Sequence, residues 1–131
     1  MSADEVLLAN LAFYAAFSER DVEAIQEMWA VEADVTCIHP GWPVLEGREA
    51  VLESWLGILA NPESPTVRCA DAVAHVMGSM AWVTCREVID EMQLAATNLF
   101  VREDDQWRLV HHQAGPMPGT PSEADLVDDW N

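Results

Sequence analysis

The sequence predicts an α+β domain in which three N-terminal helices pack on a curved antiparallel meander sheet, giving a cone with a pocket inside. Three observations lead there. Apolar residues recur at helical spacing through the first half of the chain. The second half holds four long strand-like segments joined by very short turns. The chain has 131 residues, 50% of them hydrophobic, which suits one domain with one core.

The elements follow in order. Ser2 and Glu5 stand at capping-box spacing, so a helix is expected to start there. Val6, Leu7, Leu11, Phe13, Tyr14 and Phe17 form its apolar face. Asp21 is placed to cap a second helix whose stripe is Val22, Ile25, Met28 and Trp29. Asp34 to His39 reads as a short strand. It runs into His39-Pro40-Gly41-Trp42-Pro43, where two prolines and a glycine enforce a loop. A third helix follows Gly47, carries Val51, Leu52, Trp55, Leu56 and Leu59, and stops at Asn61-Pro62. The four long segments are Thr66 to Met77, Met80 to Asp90, Gln93 to Arg102 and Gln106 to Ala114. Their short connections require antiparallel pairing. Residues 1–115 thus make the folded domain. Residues 116–131 form an acidic, proline-rich tail, pinned if at all by Trp130. The tail is expected to add little to the core, and truncation after Pro118 to leave the melting temperature nearly unchanged.

Turn positions assign the strand faces. A turn at Gly78-Ser79 pairs residues whose numbers sum to about 157, and one at Glu103 to Gln106 pairs residues summing to about 209. One face then carries Ala70, Ala72, Ala74, Val83, Cys85, Glu87, Ala96, Asn98, Phe100, Leu109, His111 and Gln113, with Asn98 opposite His111. The other carries Asp71, Val73, His75, Trp82, Thr84, Arg86, Thr97, Leu99, Val101, Val110 and His112. A single-residue slip would exchange the sets. Both faces are substantially apolar, so one is expected to cover the helices and the other to meet a second copy in a homodimer. Asp71 and Arg86 read as a cross-strand ion pair on the outer face.

Charge and composition narrow the partners. The net charge is −17, from 23 acidic and 6 basic residues, which argues against nucleic acid and anionic membrane surfaces. The N-terminus lacks the basic region of a signal peptide, and no apolar run reaches membrane-span length. Cys37, Cys69 and Cys85 show no metal-ligand spacing and read as reduced core residues of a cytoplasmic protein. His111 and His112 are adjacent on a strand, so they point to opposite faces and are a poor pair for one metal ion. No cofactor fingerprint is present, and neither a cofactor nor a metal is expected.

The order helix, helix, short strand, Pro-rich loop, helix, meander resembles the nuclear transport factor 2-like superfamily, and within it the SnoaL-like and ketosteroid-isomerase-like branch. The resemblance runs over about residues 4 to 115. It is carried by Ala12 to Val35, by Gly47 to Trp55 (GREAVLESW), by Ala96 to Val101 (ATNLFV) and by Trp107 to His112 (WRLVHH). It implies the cone fold. It leaves activity open, because such folds serve isomerases, dehydratases and non-catalytic association domains alike. Position by position, Tyr14 matches the oxyanion-hole tyrosine of ketosteroid isomerases. Asn98 falls where they carry a protonated aspartic acid, and His39, before Pro40, falls on their base. Only the tyrosine is retained, so steroid specificity does not carry over.

Two functions are therefore open. One is proton transfer, of isomerase or dehydratase type, on a small apolar molecule. His39 would be the base, with Tyr14 and Asn98 polarising an oxygen. His111, Trp42, Trp55, Phe100 and Glu87 would contact the substrate. Glu87 reads alternatively as a catalytic acid or as a residue of the open rim, and Trp42 as a plug at the mouth. The other function is a non-catalytic oligomerisation or ligand-sensing module. The two are separable by the interior: converging polar groups beside an open cavity favour the enzyme, and a cavity filled by Trp29, Trp42 or Trp55 favours the module.

Overall fold

The computed structural model describes residues 2–126. Helix α1 spans Ala3–Glu19, and Ser2 caps it as expected: the Ser2 hydroxyl accepts from Glu5 N–H, and Ser2 N–H donates to the Glu5 carboxylate at 2.9 Å. The buried stripe is Val6, Asn10, Phe13 and Tyr14, at i, i+4, i+7 and i+8. Leu11, expected on that face, is 50% exposed, and the polar Asn10 takes the inward position. Helix spacing overrides hydrophobicity there. The helix ends at Arg20 in the left-handed region (φ 57°). Its guanidinium donates to the carbonyls of Leu59, Asn61 and Ser64, tying this corner to the end of the third helix. Asp21 caps α2, Val22–Met28, through Ala24 N–H.

Strand β1, Thr36–Ile38, leads through the proline-rich loop to β2, Leu45–Glu46, a two-residue strand that the sequence did not announce. Helix α3, Arg48–Ala60, buries Val51, Trp55 and Leu59 at i, i+4 and i+8. The meander follows as β3 (Arg68–Met77), β4 (Met80–Ile89), β5 (Met92–Glu103) and β6 (Gln106–Pro116). The six strands form one sheet in the order β2-β1-β6-β5-β4-β3, antiparallel except where β1 lies parallel to β6. The β5–β6 turn has two aspartates, Asp104 and Asp105, at φ 54° and 61°, the backbone a two-residue hairpin needs to match strand twist. The Glu103 carboxylate accepts from the N–H groups of Val31, Glu32 and Ala33, so the turn after α2 is anchored to the end of β5.

Two β-bulges alter the predicted faces. From Met77 to Val73 the β3–β4 pairs sum to 157 as expected, but the register shifts between Ala70 and Val73, where Asp71 takes φ 57°. Cys69 then faces inward-pointing Glu87, and Ala70 pairs with Arg86 on the outer face. The β5–β6 pairs sum to 209 as far as Phe100–Leu109, and then the register shifts between Leu99 and Phe100. Val110 is the extra residue. Beyond it Leu99 pairs with His111 and Asn98 with His112. The expected Asn98–His111 pair is therefore corrected: His112 is inside, 1% exposed, and His111 is outside. The Asp71–Arg86 ion pair forms on the outer face at 2.7 Å.

The segment after Pro116 is fastened to that same outer face. Gln93 Nε2 donates to the Pro118 carbonyl, and Pro121 is buried. The short helix α4, Glu123–Leu126, brings the Asp125 carboxylate onto Arg86 in two hydrogen bonds of 2.9 and 3.1 Å. Arg86 holds that carboxyl well below the ordinary aspartate range. The segment is thus bonded to the outer sheet face as far as Asp125, while Trp130 lies outside the described residues. Truncation after Pro118 should lower the melting temperature by roughly 3–6 °C, and Asp125→Asn should reproduce most of that drop. Calorimetric scans unchanged by both changes would return the segment to a passive tail.

Candidate functional site

At the base of the cone, five polar side chains from four elements meet in a space closed to water. Asn98 on β5 is 0% exposed, so each of its polar atoms needs a protein partner. Its amide nitrogen donates to Asn10 Oδ1 at 2.9 Å and to the Tyr14 hydroxyl at 3.1 Å. Its carbonyl oxygen accepts from His112 Nδ1 at 2.6 Å. The Tyr14 hydroxyl donates to Glu87 Oε2 at 2.7 Å and also lies 3.4 Å from Cys85 Sγ. Asn10 Nδ2 donates to Cys69 Sγ at 3.5 Å.

This wiring determines proton positions. An amide oxygen only accepts, so His112 carries its hydrogen on Nδ1, and neutral His112 presents an Nε2 lone pair. That nitrogen lies 3.7 Å from Glu87 Oε2. Burial pushes the Glu87 carboxyl up to about 7, with Tyr14 pulling the other way through its hydrogen bond. Burial pushes His112 down to about 3, helped by the nearby histidines. The Tyr14 phenol is raised by burial and by Glu87. The favoured arrangement is neutral: a protonated or half-protonated carboxyl beside a neutral imidazole. Glu87 had been open between a substrate contact and a rim residue; at 3% exposure it is no rim residue.

His39 occupies a second position. It is buried, and its Nε2 donates to the Ser54 hydroxyl at 2.9 Å, since that hydroxyl spends its own hydrogen on the Val51 carbonyl. The lone pair of neutral His39 is then on Nδ1. Burial lowers its pKa to about 4, so it is neutral at physiological pH. Its ring lies between Trp42 at 5.0 Å and Trp55 at 4.9 Å.

Tyr14, His39, Asn98 and His111 were expected to line one cavity, and they do not. Tyr14 and Asn98 are bonded to each other. His39 bonds to neither: it reaches the cluster only by ring contact, 6.4 Å from His112, with Trp55 touching both at 4.9 and 5.5 Å. Trp55 and Phe13, 1% and 0% exposed and in edge contact at 5.4 Å, fill the centre of the cone. His111 is on the opposite sheet face, bonded to Thr36 at 2.7 Å and to Gln113 at 3.1 Å, because the Val110 bulge turns it out.

Open space lies elsewhere. A groove of about 550 Å³ runs beside α3, lined by Trp42, Leu45, Ser54, Gly57 and Ile58. Trp42, 47% exposed, is its wall, and Ser54 links it to His39. A cavity of about 230 Å³ lies under α1 and α2, lined by Ala9, Phe13, Phe100, Trp107 and Leu109. Phe100 is thus in contact with a cavity, though one apart from the polar cluster. Asn10 and His112 are the members of the cluster that sequence reasoning missed. Helical spacing marks Asn10, four residues from Val6 and four from Tyr14. Nothing local marks His112, whose side depends on a bulge.

A family model for the SnoaL-like domain matches residues 6–118. The chain belongs to the SnoaL-like family. Among solved structures it is similar to a candidate dehydratase of the NTF2-like family from Streptomyces avermitilis, with 36% identity and a TM-score of 0.83, covering 89% of this chain and 96% of that one. It is also similar to a candidate calcium/calmodulin-dependent protein kinase type II association domain from Thiobacillus denitrificans, with 32% identity and a TM-score of 0.74, covering 84% and 93%. Among curated proteins it is 24% identical over 126 residues to the F-box protein SKIP8 of Arabidopsis thaliana. The alignment takes in 95% of this chain, which spans about half the length, 51%, of that relative. The SnoaL-like fold thus accompanies names of both kinds, enzyme and association domain.

The buried carboxyl has a testable signature. In this fold Glu87 prefers its proton, so its contribution to stability is full below about 4.5 and is lost as pH rises through about 7. His112 and His39 act oppositely, since their lowered values mean that the unfolded chain binds protons better, and stability is gained as pH rises toward 6.5. Glu87→Gln removes only the first effect. Its stability should climb more steeply with pH between about 4.5 and 7 than that of the wild type, by up to about 1.4 kcal/mol per pH unit. Urea midpoints across that range measure the difference. Parallel curves would mean that Glu87 is ionised in the fold.

Proposed function

We propose that this SnoaL-like domain works first as a self-association module, a homodimer built on the outer face of its sheet. The closed interior carries this reading. Trp55 and Phe13 occupy the place a substrate would need, and the polar groups behind them are bonded to one another. The outer face supplies what association requires. Val73, Met77 and Met80 are 52%, 66% and 42% exposed, and His75 stacks on Trp82 beside them at 5.0 Å. Leu99 and Val101 continue the apolar surface along β5, half-buried. Such a continuous patch is usually covered by a partner. The arginine-anchored C-terminal segment bounds it on one side. Similarity to a candidate kinase association domain supports the same reading.

One observation favours a second reading, proton transfer on a small apolar molecule. A carboxyl buried beside a neutral imidazole does little for stability, and such perturbed pairs concentrate at functional sites. In that reading Glu87 and His112 exchange a proton with substrate, Tyr14 and Asn98 polarise its oxygen, and His39 and Trp42 control entry from the α3 groove. Trp55 has to move aside for substrate to reach them. Similarity to a candidate dehydratase supports it.

Sedimentation equilibrium should give a dimer at micromolar concentration. Leu99→Lys should give a monomer with an unchanged far-ultraviolet spectrum. A monomeric wild type would remove the association reading. For the second reading, the wild type should catalyse deuterium uptake from solvent next to the carbonyl of small apolar ketones. Glu87→Gln should slow that uptake by roughly 10²- to 10⁴-fold, and His39→Ala, which alters only the entry, by less. Absence of uptake by the wild type across such a series would sink it.

A further inference from the structure

The three cysteines differ in ways that the association and proton-transfer readings leave unused. Cys37 is fully buried and its thiol is pushed up to about 12, chiefly by burial, so it is inert at neutral pH. Cys69 and Cys85 lie on neighbouring strands and both point to the inner face. The bulge between Ala70 and Val73 brings this about: it sets Cys69 opposite Glu87, two residues from Cys85 on the same strand face. Their mutual influence holds the Cys69 thiol up and brings the Cys85 thiol down. Each also touches the polar cluster, Cys85 through the Tyr14 hydroxyl at 3.4 Å and Cys69 through the Asn10 amide at 3.5 Å. Cys69 is half-buried and Cys85 is 7% exposed, so a small oxidant reaches this pair more readily than Cys37.

We propose that Cys69 and Cys85 form a redox-sensitive pair, which a hydroperoxide converts to an intramolecular disulfide beside the Asn98 network. Cys85 is the attacking sulfur. The neighbouring Cys69, and then the Tyr14 hydroxyl at 3.4 Å, bring the Cys85 thiol down against the cost of burial, whereas Cys85 and burial push the Cys69 thiol up. The Cys85 thiolate attacks one peroxide oxygen, and the O–O bond breaks. The product is the Cys85 sulfenic acid and hydroxide, which takes a proton to become water. The Cys69 sulfur then attacks the sulfenic sulfur, the S–S bond forms, the S–OH bond breaks, and a second water leaves with the Cys69 proton. Two thiols and one hydrogen peroxide become one disulfide and two waters. Disulfide formation brings the two sulfurs to about 2.05 Å across adjacent strands, from diagonal positions on the same sheet face. Closure draws Cys85 off Tyr14 and Cys69 off Asn10, so the redox state is felt at the Tyr14–Glu87 bond.

The sequence makes the test direct. All six basic residues are arginines, and cleavage after Arg68 and Arg86 releases residues 69–86 with both cysteines in one peptide, while Cys37 falls in residues 21–48. The full-length folded protein is treated with hydrogen peroxide, alkylated, digested and mapped by mass. Peptide 69–86 should lose two hydrogens and escape alkylation, and dithiothreitol should restore it, with Cys37 still fully alkylated. Cys69→Ser should leave a Cys85 sulfenic acid that dimedone traps. Cys85→Ser should slow oxidation of position 69 by about 10-fold or more. Cys37→Ser should leave the pair unchanged. The proposal is overturned if Cys37 oxidises first, if the link joins two chains, or if peptide 69–86 remains fully alkylated in the wild type.

Discussion

Asn98 must satisfy three hydrogen bonds from its buried side-chain amide, and the rest of the structure is arranged around that requirement. Burying an unpaired amide costs roughly 2–7 kcal/mol, whereas a satisfied hydrogen bond returns only about 1 kcal/mol net. Asn98 is therefore tolerated rather than stabilising. Its three partners come from α1, through Asn10 and Tyr14, and from β6, through His112. Through Tyr14 the constraint reaches Glu87 on β4. Rotating α1, or sliding β6 by one residue, would strand several buried polar groups together. The network thus specifies one docking of helix on sheet and one register, which an apolar core would specify less sharply.

The bulges make this network possible. Without the extra residue Val110, His111 would face Asn98, and His112 would face solvent. Without the shift near Asp71, Ala70 instead of Cys69 would lie opposite Glu87. Each bulge exchanges the faces of the residues beyond it, and each lies next to the polar cluster. One of them brings a histidine to Asn98 and the other a thiol to Asn10.

The two sides of the sheet pose different physical problems. The inner side is closed: the rings of Phe13, Phe17 and Trp55 meet edge to face at 5.0 to 6.4 Å, His112 tilts against Phe13 at 5.3 Å, and the polar groups behind them stay dry. A dry site is where a carboxyl stays protonated near pH 7, the property a proton-transfer enzyme would use. It is also where a substrate finds no room unless Trp55 moves. The outer side is open and apolar, bounded by the Arg86–Asp125 anchor. The interior therefore favours function through the outer surface, and the Glu87–His112 pair keeps the chemical alternative specific.

The elements were legible in the sequence because their signals are local. The Ser2–Glu5 capping box, the Asp21 cap, the stop at Asn61 and the three short turns of the meander depend on nearby residues only. Tyr14 was legible on the buried face of the first helix, and Asn98 on the inner sheet face opposite a histidine. Their partners were not. Asn10 was masked by a more hydrophobic neighbour, Leu11, which helix geometry turns outward. The Asn98 partner was assigned to His111 because strand parity assumes an unbroken ladder, and a single inserted residue reverses it. Whether the cone would be empty was undecidable from pattern, since Trp55 reads the same as a pocket wall or a plug. The sequence alone determined the helices and the meander, because capping, periodicity and turn chemistry act over a few residues. Only the tertiary structure decided which histidine turns inward, which thiols meet and what fills the interior, because those depend on register and packing between segments far apart in the chain.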